Sequence, residues 1–160
     1  MKAILTAGAL VFLLDQVTKL LALAALSASH PVPVIPGFFH LILVLNPGVA
    51  FGMFAGLPPD WRWLVGLLSL GALGLLAVLA FRIVPRGEPL AAVALGLIFG
   101  GALGNLLDRA RLGAVVDFID LHWRGHHWPA FNVADSAITI GVGLLALRLF
   151  GGRRPQEPRG

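Results

Sequence analysis

Residues 3–28, "AILTAGALVFLLDQVTKLLALAALSA", decide what kind of protein this is. The stretch is apolar for longer than the roughly 20 residues that a helix needs to cross a bilayer core of about 30 Å. Its centre nevertheless holds Asp15, Gln16 and Lys19. At membrane depth a charged group costs about 2.5–3.5 kcal/mol on insertion scales, so each must have a partner or a task. A cleavable signal peptide, with Met1 and Lys2 as its basic end and "ALSAS" as its cleavage site, has no use for such groups in its apolar core. The segment therefore reads as a retained helix, on which Asp15 and Lys19, four residues apart, share a face and can pair.

The rest of the chain has the same character. Of its 160 residues, 58% are hydrophobic and only 12% are charged, and the mean hydropathy is +0.87. A soluble domain is far more polar, so lipid is the solvent for most of this surface. Three further apolar runs, about 63–84, 90–107 and 133–150, complete a set of four expected spans in one domain covering residues 1–160. The chain has no Cys, which excludes disulfides and a thiol nucleophile.

The formal charge of +4 does not point to nucleic acid, because the cations are sorted by side. Lys2, Arg82, Arg86, Arg148, Arg153, Arg154 and Arg159 fall on the side of both termini, against Arg62, Arg109, Arg111 and Arg124 on the other. The excess of basic residues marks the cytoplasmic side, so both termini are expected inside and residues 29–62 and 108–132 outside.

Residues 30–60 are too patterned for a plain connector. "HPVPVIPG" breaks any helix, and "FFHLILVL", "NPG" and "VAFGMF" read as two short strands around a turn. The expectation is an all-α membrane protein carrying a small extracytoplasmic β-hairpin or sheet. "PRGEP" at 85–89 is a tight turn that makes the second and third helices antiparallel neighbours. Gly96, Gly100 and Gly104 repeat every four residues and let another helix approach closely. The tail at 151–160, "GGRRPQEPRG" with Gly151 included, is expected to be disordered.

Chemistry is concentrated in "VVDFIDLHWRGHHWPAFNVADSAI", residues 115–138. Asn132 is a good N-cap for the last helix, which makes Asp135 its third residue, in the favourable field of the N-terminus. Asp117, flanked by apolar residues, gains nothing from burial unless something nearby needs it. Two carboxylates meeting in an apolar pocket share a proton, and one can act as base on a water while the other acts as acid. That is the arrangement of an aspartic peptidase. Asp120 competes with Asp117 for the role, and local sequence does not choose between them. Asn105, Asp108 and Arg109 close the third helix as a supporting group. His122, His126 and His127 allow a metal site, but their spacing matches no compact zinc pattern, so neither metal nor cofactor is expected. Other readings of buried carboxylates are a proton-coupled transporter, which would distribute them through the bilayer's depth, and a scaffold, which leaves Asp117 without a reason.

With these residues in view, the chain resembles the lipoprotein signal peptidase family, signal peptidase II. The matching blocks are "DQVTK" (15–19), "NPGVAFG" (46–52), "GGALGNLLDR" (100–109), "VVDFID" (115–120) and "FNVADSAI" (131–138), in order along nearly the whole chain. The resemblance implies that Asp117 and Asp135 are the catalytic pair, that Asn46, Gly48, Asn105, Arg109 and Asn132 line or support the pocket, and that Asp15 and Lys19 serve near it. It further implies a bacterial inner-membrane enzyme that works among membrane lipid with no cofactor; a monomer is expected. Its substrate would be a prolipoprotein, cleaved before a diacylglyceryl-modified cysteine. No family role attaches to His122, His126 or His127.

Overall fold

A computed structural model describes residues 1–48, 58, 61, 63–83 and 88–151. Helix α1 spans Lys2–Ala25 and is followed by two strands, β1 at Val32–Ile35 and β2 at Phe39–Asn46. Helices α2, Trp63–Ile83, and α3, Pro89–Leu112, come next, then β3 at Val115–Trp123, β4 at His126–His127 and helix α4 at Val133–Gly151. The proposed strand "VAFGMF", the inner turn at 85–87 and the tail beyond Gly151 lie outside the described residues.

Among the described residues, two helices, α1 and α3, are long and apolar enough to cross a membrane. Helix α1 buries Asp15, Lys19 and Ala22 and turns Leu10, Leu13, Leu14, Val17, Leu20 and Leu21 outward at half exposure or more. Polar inside and apolar outside is the reverse of a helix made for water. Helix α3 lies at the centre, packed on both α1 and α4. Its glycines make that possible. A Cβ on Gly100 would collide with the backbone of Gly8 in α1, and one on Gly101 would stand 2.5 Å from the Ala134 carbonyl at the start of α4. Glu88, just before α3, and Arg148 in the last turn of α4 pair at 3.1 Å at the opposite end of the bundle from the sheet.

The four strands form one antiparallel sheet in the order β1-β2-β3-β4. The sequence expectation had residues 108–132 as connection; instead β3 is a nine-residue strand at the centre of the site. Its reading was hidden because most of its residues are buried, so the alternation that marks a half-buried strand is weak. The proline-rich 32–35 segment, expected only to interrupt a helix, is an exposed edge strand, a place where proline is tolerated.

Gly113 ends α3 in the left-handed conformation, φ 68°, and turns the chain directly into β3. Arg124 (φ 50°) and Gly125 (φ 82°) make the two-residue turn into β4, both with the positive φ that a tight hairpin of this hand requires. The returning chain then bridges Phe131 to Ile119. This bridge sets Asn132 beside Asp117 immediately before α4 begins.

Candidate active site

Asp117 and Asp120 lie three apart on β3, and side chains three apart on a strand point to opposite faces. That separates two carboxylates the local sequence left equivalent. Asp117 and Asp135 both line a cavity of about 940 Å³, with Asn46, Asn105, Arg109, Trp128 and Phe131 also on its wall. Asp120 is not on that wall; it sits among histidines.

Asn132 joins the two carboxylates. Its Nδ2 donates to Asp117 Oδ1 at 2.7 Å, and its Oδ1 accepts the backbone N–H of Asp135 at 2.9 Å. Asp135 replies by accepting the Asn132 N–H on Oδ2 at 3.3 Å, so the two residues form a reciprocal box over the first turn of α4. The capping arrangement and the site arrangement are therefore the same contacts. Asp117 Oδ2 accepts a second amide, Asn46 Nδ2, at 3.1 Å. The Asn46 side chain is itself held by the Gly48 N–H, which donates to its Oδ1 at 3.0 Å and so aims the amide nitrogen at Asp117. Asp135 Oδ1 accepts Asn105 Nδ2 at 2.8 Å. Three asparagines thus orient two carboxylates without adding charge.

Burial pushes the Asp117 carboxyl up to about 7; the Asn46 amide pulls it back, and the charge of nearby Asp135 adds to the rise. A carboxyl near 7 exchanges a proton at neutral pH, which an exposed aspartate does not.

Behind the asparagines lies an ionic cluster. Lys19, 2% exposed, donates to Asp15 Oδ2 at 2.8 Å, Asp108 Oδ2 at 2.7 Å and Asn105 Oδ1 at 2.8 Å, using all three of its protons. Asp15 Oδ1 accepts the Ala134 N–H at 2.9 Å, so a carboxylate from α1 caps the first turn of α4. Asp108 Oδ2 accepts the Val116 N–H at 3.2 Å and ties the start of β3 to the same cluster. Asp15, Lys19 and Asp108 make no hydrogen bond to Asp117 or Asp135; Asn105 relays between them. Arg109 donates to the Gly48 carbonyl at 2.8 Å and to the Asn105 carbonyl at 3.3 Å, bracing the 46–48 turn.

Gln16 was not among the candidates, yet it donates from Nε2 to Asp15, Asp108 and the Gly104 carbonyl at 3.2–3.3 Å. Its signal was present: an uncharged amide beside an aspartate inside an apolar helix. His40 was also passed over. It stands opposite Asp120 in the β2–β3 register, a relation that no spacing along the chain reveals.

The profile of the signal peptidase (SPase) II family matches residues 7–151. A lipoprotein signal peptidase of Geobacter metallireducens is 45% identical over 155 residues, covering 97% of this chain and 93% of that protein. One from Pseudomonas putida is 45% identical over 150 residues, covering 93% and 87%. A solved structure described as "Bacterial membrane enzyme structure by the in meso method at 2.3 A resolution" superposes with a TM-score of 0.79 at 32% identity, covering 99% of this chain and 96% of that one.

Proposed function

The chain belongs to the signal peptidase II family, and from that premise we propose that Asp117 and Asp135 are its catalytic pair. It is an aspartic peptidase that removes the signal peptide from prolipoproteins in a bacterial inner membrane. The observation that carries the proposal is the double engagement of Asn132, which holds Asp117 through its amide nitrogen and Asp135 through its carbonyl oxygen, beside one cavity.

The chemistry follows from sharing one proton. The ionised member takes a proton from water, the resulting hydroxide attacks the scissile carbonyl, and the protonated member hydrogen-bonds the oxyanion that forms. The proton taken from water is then delivered to the leaving amine, which restores the pair with a single proton. No covalent enzyme intermediate is needed. Proton transfer of this kind contributes about 10²–10⁴-fold, so alignment of peptide and water must supply much of the rest. Asn46, Asn105 and Asn132 hold the carboxylates at fixed angles, Gly48 and Arg109 hold Asn46, and Asp15, Lys19 and Asp108 hold Asn105 and the strand.

The bond cleaved is the one preceding a diacylglyceryl-modified cysteine. A substrate anchored by lipid diffuses in the bilayer plane and meets the cavity where strand gives way to helix. All four helices span the membrane, both termini lie in the cytoplasm, and the sheet lies at the outer surface. The enzyme acts as a monomer. The test is cleavage of a diacylglyceryl-modified prolipoprotein by the purified protein in detergent, with Asp117→Asn and Asp135→Asn alongside. The parent cleaves and both variants lose nearly all activity while remaining folded; parental activity in either variant refutes the pair.

A further inference from the structure

We propose that His40, Asp120, His122 and His127 form a binding site for a divalent transition-metal ion of the zinc class, on the face of the sheet that turns away from Asp117. Nothing in the peptidase chemistry uses these groups. They come together by register alone. His40 is directly opposite Asp120 across β2 and β3, His122 is directly opposite His127 across β3 and β4, and Asp120 and His122 are two apart on the same strand. Two adjacent cross-strand pairs therefore put four potential ligands on one patch of one face.

For His40 and His122 the distances are those of a ligand set and not of a hydrogen-bonded cluster. His40 Nδ1 and His122 Nδ1 stand 3.7 and 3.6 Å from Asp120 Oδ2. These are long for hydrogen bonds. They are close to the edge of a tetrahedron with metal bonds of about 2.0–2.1 Å, which is about 3.4 Å. The donor atoms of His40, Asp120 and His122 all lie within 4.8 Å of one another, while His127 Nδ1 is hydrogen-bonded to Asp120 Oδ1 at 2.9 Å and Oδ2 at 3.1 Å and would exchange that contact for the metal. An independent observation points the same way: His122 Nδ1 is buried and has no hydrogen-bond partner among the described residues. A buried polar nitrogen left without a partner is costly, and a metal bond would satisfy it.

Chemistry selects the ion. Three imidazole nitrogens and one carboxylate oxygen, with no sulfur, suit zinc and its neighbours and are a poor match for calcium or magnesium. Entry is open, since the His127 side chain is 56% exposed and that of His40 25%. His126 faces the other way in the strand alternation and is outside the set. Bound, the ion would cross-link β2, β3 and β4 and so stiffen the strand that carries Asp117.

Zinc chloride titrated calorimetrically into the tag-free full chain in detergent tests this, with cobalt absorption as a second readout of coordination. One zinc per chain is expected, with a four-coordinate cobalt spectrum and a raised melting temperature. The exposed His127→Ala leaves the fold intact and weakens zinc by more than about tenfold, since loss of an outer partner of a ligand alone costs that much. His40→Ala weakens it at least as far, and His126→Ala leaves it unchanged. Absence of zinc binding by the parent, or equal affinity in His127→Ala, His40→Ala and the parent, overturns the site. Peptidase activity is read separately, so a failure here leaves the catalytic proposal untouched.

Discussion

At the scale of single residues, Asp117 has the most to tell. Its carboxyl titrates near 7 instead of at the ordinary 3.8, chiefly because it is buried. The proposed pair needs one proton and loses it when the second carboxyl ionises, so kcat/KM is expected to fall above about pH 7 as an apparent value for the pair. A flat profile from pH 6 to pH 9 would refute this. The same shift bears on stability. Between about pH 4 and pH 7 the folded protein holds a proton on Asp117 that the unfolded chain has lost, so this group's contribution to stability falls as pH rises through that window. Asp117→Asn has no such dependence, and its melting temperature relative to the parent should therefore rise between pH 4 and pH 8. Asn132 is the other decisive side chain. Asn132→Ala removes an N-cap, which costs about 1 kcal/mol, and leaves Asp117 without its shortest hydrogen bond. Melting curves should show the modest loss, while kcat falls by about 10² or more because the pair loses its alignment.

Elements impose their own demands, and the glycines of α3 show how. Gly104 faces the Asp15 carboxylate so closely that a Cβ there would overlap Oδ2. The sequence identified these glycines as a packing stripe; what it did not show is that the stripe makes room for an ion cluster as well as for a helix. Gly104→Ala must push Asp15 off Lys19 and off the Ala134 N–H, and overpacking of this kind costs about 1–3 kcal/mol. Thermal unfolding in detergent would measure it, and a neutral result would mean that α1 can move aside freely. Lys19 is the counterpart on α1. Lys19→Met leaves Asp15 and Asp108 buried without their cation, a change that costs about 3–5 kcal/mol in buried pairs. Little folded protein should be recovered, whereas Lys19→Met combined with Asp15→Asn and Asp108→Asn should restore much of the yield.

For the molecule as a whole, the absence of cysteine makes the proposed orientation directly measurable. Ser29→Cys, in the exposed connection after α1, should react with a membrane-impermeant maleimide in intact spheroplasts. Lys2→Cys should react only after the membrane is opened. The reverse pattern would invert the molecule and put the cavity on the wrong side for a translocated substrate.

Composition and the length of the apolar runs determined the solvent of this protein, because a bilayer demands long helices whatever their packing. The order of five short blocks determined its family, and the box of Asn132 and Asp135 was legible because a helix N-terminus is local in sequence. Tertiary structure alone decided the rest. Only the pleat of β3 sends Asp117 to the cavity and Asp120 to the other face, and only the return of Phe131 onto Ile119 sets Asn132 between the two carboxylates. Only register brings His40 to Asp120. These relations are between segments far apart along the chain, joined by backbone hydrogen bonds that carry no residue signature, and so they exist in the fold and nowhere in the order of the letters.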